Sequence, residues 1–167
     1  MEELPKDKKK LCDTLLDILI MAYVFGVDNV NRTTESNVSP NTDKMNDSIY
    51  KVIDGQTWED RVMGYETIEQ LKVLAETETH RIFCEGQWDC AVELDDIVKI
   101  WNTMEDEKVR EEHWYLDGDE KPLLDYFYTL SGDRALYPSG FGVPSLDINC
   151  RCYLTYKRRG ATRRDES

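Results

Sequence analysis

The first apolar pattern of the chain has helical spacing. Its apolar residues recur three or four positions apart, at Leu11, Leu15, Ile18, Leu19, Ala22 and Tyr23. This spacing predicts an amphipathic helix, and Gly26 is placed to end it by adopting a left-handed backbone conformation. Residues 28–47 are polar and contain Ser39-Pro40-Asn41, a composition typical of a linker. The pattern therefore predicts a helix that ends at Gly26, followed by a loop or hinge.

Further helices are predicted between residues 45 and 83. One begins near Met45 and ends at Asp54-Gly55, and Thr57-Trp58-Glu59-Asp60 has the form of a capping box that opens the next. Another is predicted from Thr67 through Phe83, with Gly86 as a break. Its apolar stripe consists of Ile68, Leu71, Leu74, Ala75 and Ile82. The first half of the chain is thus predicted to be helical.

The second half changes to strand and loop patterns. Ile97-Val98-Lys99-Ile100-Trp101 is rich in branched and aromatic residues and predicts a strand. Residues 115–149 are dense in Gly, Pro, Asp and Ser, which favours short strands and wide loops over long helices. Residues 150–156 alternate well enough for a final strand. The predicted fold class is α+β, with a helical N-terminal half followed by a small antiparallel sheet with long loops.

Length and composition set the class of protein. A chain of 167 residues with 40% hydrophobic and 33% charged residues fits one domain with much solvated surface. Residues 11–25 look apolar, but Asp13 and Asp17 interrupt them and they are shorter than the roughly 20 residues of a membrane span. No targeting segment is recognised either, so we expect synthesis in the cytoplasm. The five cysteines do not suggest a secreted disulfide framework.

The charge of the chain is segregated. The net charge of -13 argues against a general nucleic-acid binder, because phosphate binding requires a basic face. The C-terminal segment is the exception and carries Lys157, Arg158, Arg159, Arg163 and Arg164. One interpretation is a solvated terminus. The other is a contact with DNA or with an acidic partner surface.

Several short motifs follow one another in a fixed order. His113-Trp114-Tyr115-Leu116-Asp117-Gly118 precedes Leu136-Tyr137-Pro138, and Ile148-Asn149-Cys150-Arg151-Cys152 comes last. Upstream of them lie Glu76-Thr77-Glu78-Thr79-His80-Arg81 and Trp101-Asn102-Thr103. Together, over roughly residues 50–156, they resemble the Mu F-like, or head morphogenesis, family of tailed bacteriophages. The structural motif positions are Glu76, Glu78, Arg81, Trp101, Asp106, Arg110, Leu116, Gly118, Asn149 and Arg151.

The resemblance implies a minor head protein of a tailed phage or prophage. Such a protein is made in the host bacterial cytoplasm, enters the virion, associates with the portal protein and other capsid proteins, and acts in capsid assembly, DNA packaging or ejection. We divide the chain accordingly into an N-terminal helix and linker that form a docking arm (residues 1–48), a Mu F-like domain (residues 49–156) and a basic tail (residues 157–167). Packaged DNA is a further expected partner through the tail, and no membrane partner is expected.

Two alternatives belong to other classes. Mu F-like domains also precede toxin or ADP-ribosyltransferase modules in longer proteins, so the chain could be the delivery module of an effector. Because the sequence ends soon after the resembling region, we expect no fused toxin. The other alternative is a zinc-binding nucleic-acid module, which the acidic balance disfavours.

Four residues of the second half are zinc-ligand types: His113, Asp117, Cys150 and Cys152. Their spacing differs from the usual knuckles. Many Mu F-like sequences carry Cys-x-x-Cys before Leu-Asp-Gly and His-Pro-Asn before Cys-Arg-Cys, whereas this chain has Arg110 and His113 upstream and residues 147–149 downstream. The alternative is a fold-stabilising cluster in which the histidine bonds a loop carbonyl and the cysteines pack. We therefore expect no obligatory cofactor, with zinc as the open possibility.

The remaining polar cluster lies on the predicted helix at residues 67–83. Glu78 and Arg81 are three residues apart, and Glu76 and His80 are four apart, so each pair is adjacent on the helix surface. One interpretation is a solvated, salt-bridged face. The resemblance suggests instead that this face docks on residues 101–110, with Asp106 and Arg110 as partners.

No sequence feature suggests an enzyme. The chain lacks a Gly-rich phosphate loop and a nucleophile elbow. A thiol nucleophile would need an electropositive and accessible setting, which an acidic chain does not suggest. We therefore predict a structural protein without catalytic residues.

Overall fold

Helices occupy the first half of the chain and short strands the second. The computed structural model describes residues 7–148 and 150–160. The helices are α1 (Lys8–Thr34), α2 (Thr42–Ile49), α3 (Trp58–Gly64), α4 (Ile68–Ala91), α5 (Glu111–Trp114) and α6 (Pro144–Asp147). The strands are β1 (Ile97–Asn102), β2 (Glu120–Pro122), β3 (Phe127–Tyr128), β4 (Arg134–Ala135) and β5 (Tyr153–Arg158). The predicted α+β class is confirmed.

The two long helices α1 and α4 cross with their backbones in contact. A Cβ atom placed on Gly26 would lie 2.2 Å from the carbonyl oxygen of Phe83, and one on Gly86 would lie 2.3 Å from that of Tyr23. Only glycine permits so close an approach of two helices, because every other residue carries a Cβ. The prediction that Gly26 ends the first helix and Gly86 breaks the fourth is therefore wrong. Both glycines lie inside helices and mark the crossing point.

The polar segment after α1 is more ordered than predicted. Helix α1 continues to Thr34, and Glu35 caps it in the left-handed conformation with φ 53°. Only residues 35–41 connect it to α2, which begins at its cap Asn41. The prediction of a linker over residues 28–47 is wrong for most of its length, because polar residues there occupy the solvent face of α1 and the first turns of α2.

The predicted N-terminal ends of α3 and α4 are confirmed. Thr57 accepts a hydrogen bond from the backbone N–H of Asp60, whose carboxylate accepts one from the N–H of Thr57, so the predicted capping box is confirmed. Thr67 caps α4 by accepting from the N–H of Gln70. These signals depend on three or four adjacent residues, and that explains why the sequence reveals them.

The main sheet is antiparallel, with strand order β2-β1-β5. Strand β1 pairs along its whole length with β5, from Ile97 opposite Arg158 to Asn102 opposite Tyr153. A separate two-stranded sheet joins β3 to β4. The final strand therefore begins later than predicted, at Tyr153, so Cys150 and Cys152 lie in the extended segment that leads into it.

Helix α1 belongs to the same core as the rest of the domain. Leu19, Tyr23 and Val30 are buried with Ile82 of α4 and Leu154 of β5. A division of the chain at residue 48 would fall inside α2 and would separate α1 from the helix it packs on. The docking role of residues 1–48 stays a prediction. The described residues of this segment pack into the same core as α4 and β5 and do not form a separate unit. In the described part of the chain, no helix is both long and apolar enough to cross a membrane.

Candidate functional site

The Cys-Arg-Cys motif presents its two thiols to the interior. Cys150 and Cys152 are 5% and 2% exposed, whereas Arg151 between them is exposed. Alternate residues of an extended segment point to opposite sides. The spacing of one intervening residue therefore places both sulfur atoms on the same, buried side.

His113 reaches the same point from α5. Its Nδ1 atom lies 3.8 Å from Sγ of Cys150 and 3.5 Å from Sγ of Cys152. The three potential ligand atoms all lie within 4.8 Å of one another. The structure thus brings together three of the four predicted ligand residues, which we call the His-Cys-Cys cluster.

Aromatic rings enclose the imidazole of this cluster. The ring of Phe141 stacks on His113 with a centroid distance of 5.7 Å and an interplanar angle of 17°. The indole of Trp101, which is fully buried, meets the imidazole edge-on at 5.8 Å. Because these rings pack against the imidazole from two directions, they fix its plane and so the position of Nδ1.

The two thiols have opposite pKa shifts. The hydrogen bond from Cys152 lowers the pKa of Cys150, burial opposes this, and His113 and His80 lower the pKa further. The same hydrogen bond and burial raise the pKa of Cys152. The neighbouring thiols therefore move each other's pKa in opposite directions, down for Cys150 and up for Cys152.

Asp117, the fourth predicted ligand, is not part of the cluster. Its carboxylate accepts a hydrogen bond of 2.9 Å from the backbone N–H of Thr103. It lies in the turn formed by Leu116 and Gly118, where Leu116 is 3% exposed and Gly118 has φ +79°. The N–H of Gly118 bonds the carbonyl of Trp101 at 2.8 Å. The Leu-Asp-Gly motif is thus a turn clamped to the end of β1, and its inclusion as a metal ligand is wrong.

A second polar site is a buried network of ion pairs on α4. Glu78 contacts Arg81 at 2.7 Å and Arg61 of α3 at 3.0 Å, and Arg81 also pairs with Glu85 at 3.1 Å. The Glu78 side chain is 3% exposed. Arg81 also donates to the carbonyl oxygen of Ser48, at the end of α2, at 2.9 Å. This network joins α2, α3 and α4.

The ion pairs of the network favour the charged forms of Glu78 and Arg81. Burial raises the pKa of Glu78, but hydrogen bonds and charges from Arg81 and Arg61 outweigh it, and the net pKa is lowered. For Arg81, burial acts to lower the pKa, and Glu78 and Glu85 more than compensate. Two guanidinium groups face two carboxylates, so the buried charges cancel.

The prediction of how this face is used is wrong in two respects. It is not a solvated face, and it does not dock on residues 101–110. Glu76 is exposed and pairs with Lys72 at 3.9 Å instead of His80. Asp106 pairs with Arg151 at 2.6 Å, and Arg110 donates to the carbonyl oxygen of Ile148. Asp106 and Arg110 lie in a loop rather than a helix, so they hold the Cys-Arg-Cys segment and not α4.

Sequence reasoning missed three participants. Arg61 lies 17 residues from Glu78, and no sequence pattern links the two. Glu85 lies four residues after Arg81, and this helical spacing could have predicted their ion pair. His80 was assigned to the wrong neighbour. Its Nε2 atom lies 3.7 Å from Sγ of Cys84, and its imidazole influences Cys150. His80 therefore faces the His-Cys-Cys cluster from α4.

The predicted basic tail begins inside the folded domain. Lys157 and Arg158 belong to β5. Lys157 pairs with Glu120 at 3.1 Å, and the guanidinium of Arg158 donates to the carbonyl of Thr34 and the hydroxyl of Ser36, both at 2.9 Å. Lys157 therefore joins β5 to β2, and Arg158 holds the sheet to the end of α1, contrary to a tail that starts at residue 157. Arg163, Arg164 and Asn149 lie outside the described residues.

The fold and these sites define a structural α+β domain in which the motif positions hold loops and helices together. The sequence profile of the family described as "Phage Mu protein F like protein" matches residues 33–155. The chain belongs to this family of phage head-morphogenesis proteins. The match begins in the last turn of α1 and ends in β5, so it covers most of the described fold but leaves out nearly all of α1.

One curated relative is similar to part of this chain and is named for an enzymatic activity. It is the NAD(+)--arginine ADP-ribosyltransferase EFV of Enterococcus faecalis (strain ATCC 700802 / V583), 42% identical over 57 residues. The similar segment is 34% of this chain and 12% of the relative, so the chain spans only a small part of that protein's length. No solved structure matches the chain.

Proposed function

We propose that the protein is a minor head protein that associates with the portal and acts in capsid assembly, DNA packaging or ejection. The family match over residues 33–155 carries this proposal. The role is structural rather than catalytic, because the motif positions described above serve turns, ion pairs and strand pairing. The site of synthesis is the host bacterial cytoplasm, and the destination is the phage head.

An exposed apolar stripe on α1 is the proposed portal contact. Ile18, Met21 and Phe25 lie on one helix face and are 44%, 54% and 55% exposed, while the opposite face packs on α4. Contiguous exposed apolar side chains are typical of interfaces. Through this stripe, α1 could bind the portal while its opposite face stays packed in the core.

Co-expression with the portal protein of the same phage tests both statements. We expect the two proteins to co-purify and to give one defined stoichiometry by native mass spectrometry. The double variant Met21→Glu/Phe25→Glu should lose the complex, because an interface desolvates the introduced carboxylates. Leu124→Glu/Leu130→Glu is the matched control, since both leucines are 71% exposed on the opposite half of the chain, and it should retain the complex.

Two outcomes of this experiment count against the proposal. If the unmodified chain ignores the portal, portal association is refuted. If both double variants lose the complex equally, the α1 stripe is not the contact. Circular dichroism of each variant confirms that its fold is intact before the comparison is made.

The partial similarity to an ADP-ribosyltransferase supports a second candidate, a delivery module of a phage-linked effector. Mass spectrometry of purified virions separates the two functions. Peptides of this chain in DNA-filled heads at a constant ratio to the portal support the head protein. Their absence from heads, with the protein present in the host cell or medium, supports the effector module.

A further inference from the structure

The His-Cys-Cys cluster has the geometry of a metal site. We propose that Nδ1 of His113 and the sulfurs of Cys150 and Cys152 bind one zinc ion, with a water molecule as the fourth ligand. This inference does not rest on the proposed head function. The family match alone does not identify these three residues as metal ligands.

Distances between the donor atoms fit tetrahedral zinc. With Zn–S of about 2.3 Å and Zn–N of about 2.0–2.1 Å, a tetrahedral ion places nitrogen and sulfur about 3.6 Å apart. The distances from Nδ1 of His113 to the two sulfurs are 3.5 and 3.8 Å. The two nitrogen-to-sulfur distances therefore already match ligand spacing, and all three donor atoms lie within 4.8 Å of one another.

Three potential donor atoms converge on one point of the buried interior. Neutral imidazole offers one lone pair at Nδ1, which accepts one thiol proton at a time. Here two sulfurs approach the same nitrogen, and each is buried. A metal ion uses all three donor atoms at once, and two thiolates cancel its double positive charge within the buried site.

Open space for the fourth ligand lies beside the cluster. A cavity of about 10 Å³ is lined by His113, Cys150 and Cys152, and on its outer side by residues 108–110 and Arg151. That volume is close to the roughly 10–15 Å³ that one water molecule needs. Asp117 is not in this group of donor atoms, and its carboxylate accepts from the backbone N–H of Thr103.

His80 lies beside the site on α4. Its Nε2 atom lies 3.7 Å from Sγ of Cys84, and its imidazole is one of the groups that lower the pKa of Cys150. Partners of this kind orient the donor atoms of metal ligands and tune their basicity. His80 is thus a positioning residue, whose loss should weaken the site without abolishing it.

The test uses the full chain, produced with zinc in the medium and purified without chelator. Metal analysis should find about one zinc per chain, as expected for a single site. The variant Cys150→Ser/Cys152→Ser should fall to background. Cys90→Ser is the matched control, because Cys90 is also buried but lies beside Asn31, and it should retain the metal, as should Asp117→Asn.

Cobalt gives a second readout that is independent of how the variants fold. Co²⁺ added to the metal-free wild-type chain should give the intense visible bands of a tetrahedral site and a sulfur-to-cobalt charge-transfer band. His80→Gln should keep these bands but release cobalt to a chelator at lower concentrations, about 10- to 100-fold lower by analogy with other supporting residues.

The proposal is overturned if the wild-type chain binds no zinc and cobalt gives only the weak spectrum of a six-coordinate ion. It is equally overturned if the double cysteine variant, folded by circular dichroism, retains the metal. None of these readouts depends on the portal, so a failed metal site and a failed head function remain distinguishable.

Discussion

Removal of one carboxylate from the buried network should cost a large part of the stability of this domain. Glu78 contacts both Arg81 and Arg61 and is 3% exposed. In Glu78→Gln the side-chain volume is kept, but the amide N–H faces guanidinium donors and only Glu85 remains to balance two positive charges. Breaking a buried pair in this way costs about 3–5 kcal/mol, against a total stability of about 5–15 kcal/mol for a typical domain.

Urea unfolding, followed by circular dichroism, measures this loss. The matched control is Glu76→Gln, two residues earlier on the same helix, where the side chain is 63% exposed and pairs with Lys72 at 3.9 Å. That exposed substitution should change the free energy of unfolding by less than about 0.5 kcal/mol. If the two variants lose the same free energy at equal slope, the buried network does not stabilise the fold and the reasoning fails.

The pH dependence gives an independent check. The pKa of Glu78 is lowered from 4.5 in the folded state, so the unfolded chain binds the proton more tightly. The contribution of its charge is therefore fully present above pH 4.5 and is lost as the pH falls through the lower, folded pKa. The difference between wild type and Glu78→Gln should shrink in that acid range. A difference that grows with acid would contradict the assigned ion pairs.

Three further predictions follow from particular contacts. Gly26→Ala should destabilise the domain by at least about 1–3 kcal/mol in urea because of its backbone contact with Phe83, whereas Gly64→Ala, with open space around it, should be nearly neutral. Burial lowers the pKa of Lys99 to about 8, so above that pH the unfolded chain binds more protons than the folded one. The stability of the wild type relative to Lys99→Met should therefore rise between pH 8 and 10. A difference in stability that does not change with pH would refute this. If the C-terminal segment binds DNA, its affinity should fall steeply with salt, by a slope of about −0.9 per phosphate contacted, and a salt-independent curve would exclude it.

The local features of the fold follow from the sequence, and the contacts between distant segments do not. The capping box at Thr57 and the strand at Ile97 depend on adjacent residues and were found. The roles of Gly26 and Gly86 depend on a crossing between helices 60 residues apart in the chain. A glycine that ends a helix and one that permits contact have the same sequence signal, so only the tertiary fold separates them.

The same limit applies to the two polar sites. His113, Cys150 and Cys152 were identified as a possible cluster from ligand chemistry alone. Asp117 was included with them because aspartate is common both in turns and among metal ligands, and the sequence does not separate the two roles. Lys99 was read simply as part of a strand. It is instead fully buried, and its ammonium donates to the carbonyl of Leu136 at 2.7 Å. A buried lysine is rare, and alternation along a strand gives no warning of it.

Helix α4 connects the two polar sites. One of its faces carries Glu78, Arg81 and Glu85 toward α2 and α3, and the adjacent face carries His80 and Cys84 toward Cys150. The helical half and the loop-rich half therefore meet on one rigid element. In a domain whose second sheet has only two residues per strand, regular pairing cannot fix the loops. The clamped turn at Leu116, the ion pair of Arg151 with Asp106 and the His-Cys-Cys cluster hold the loops instead, which gives Arg151 and the two cysteines a role in the fold.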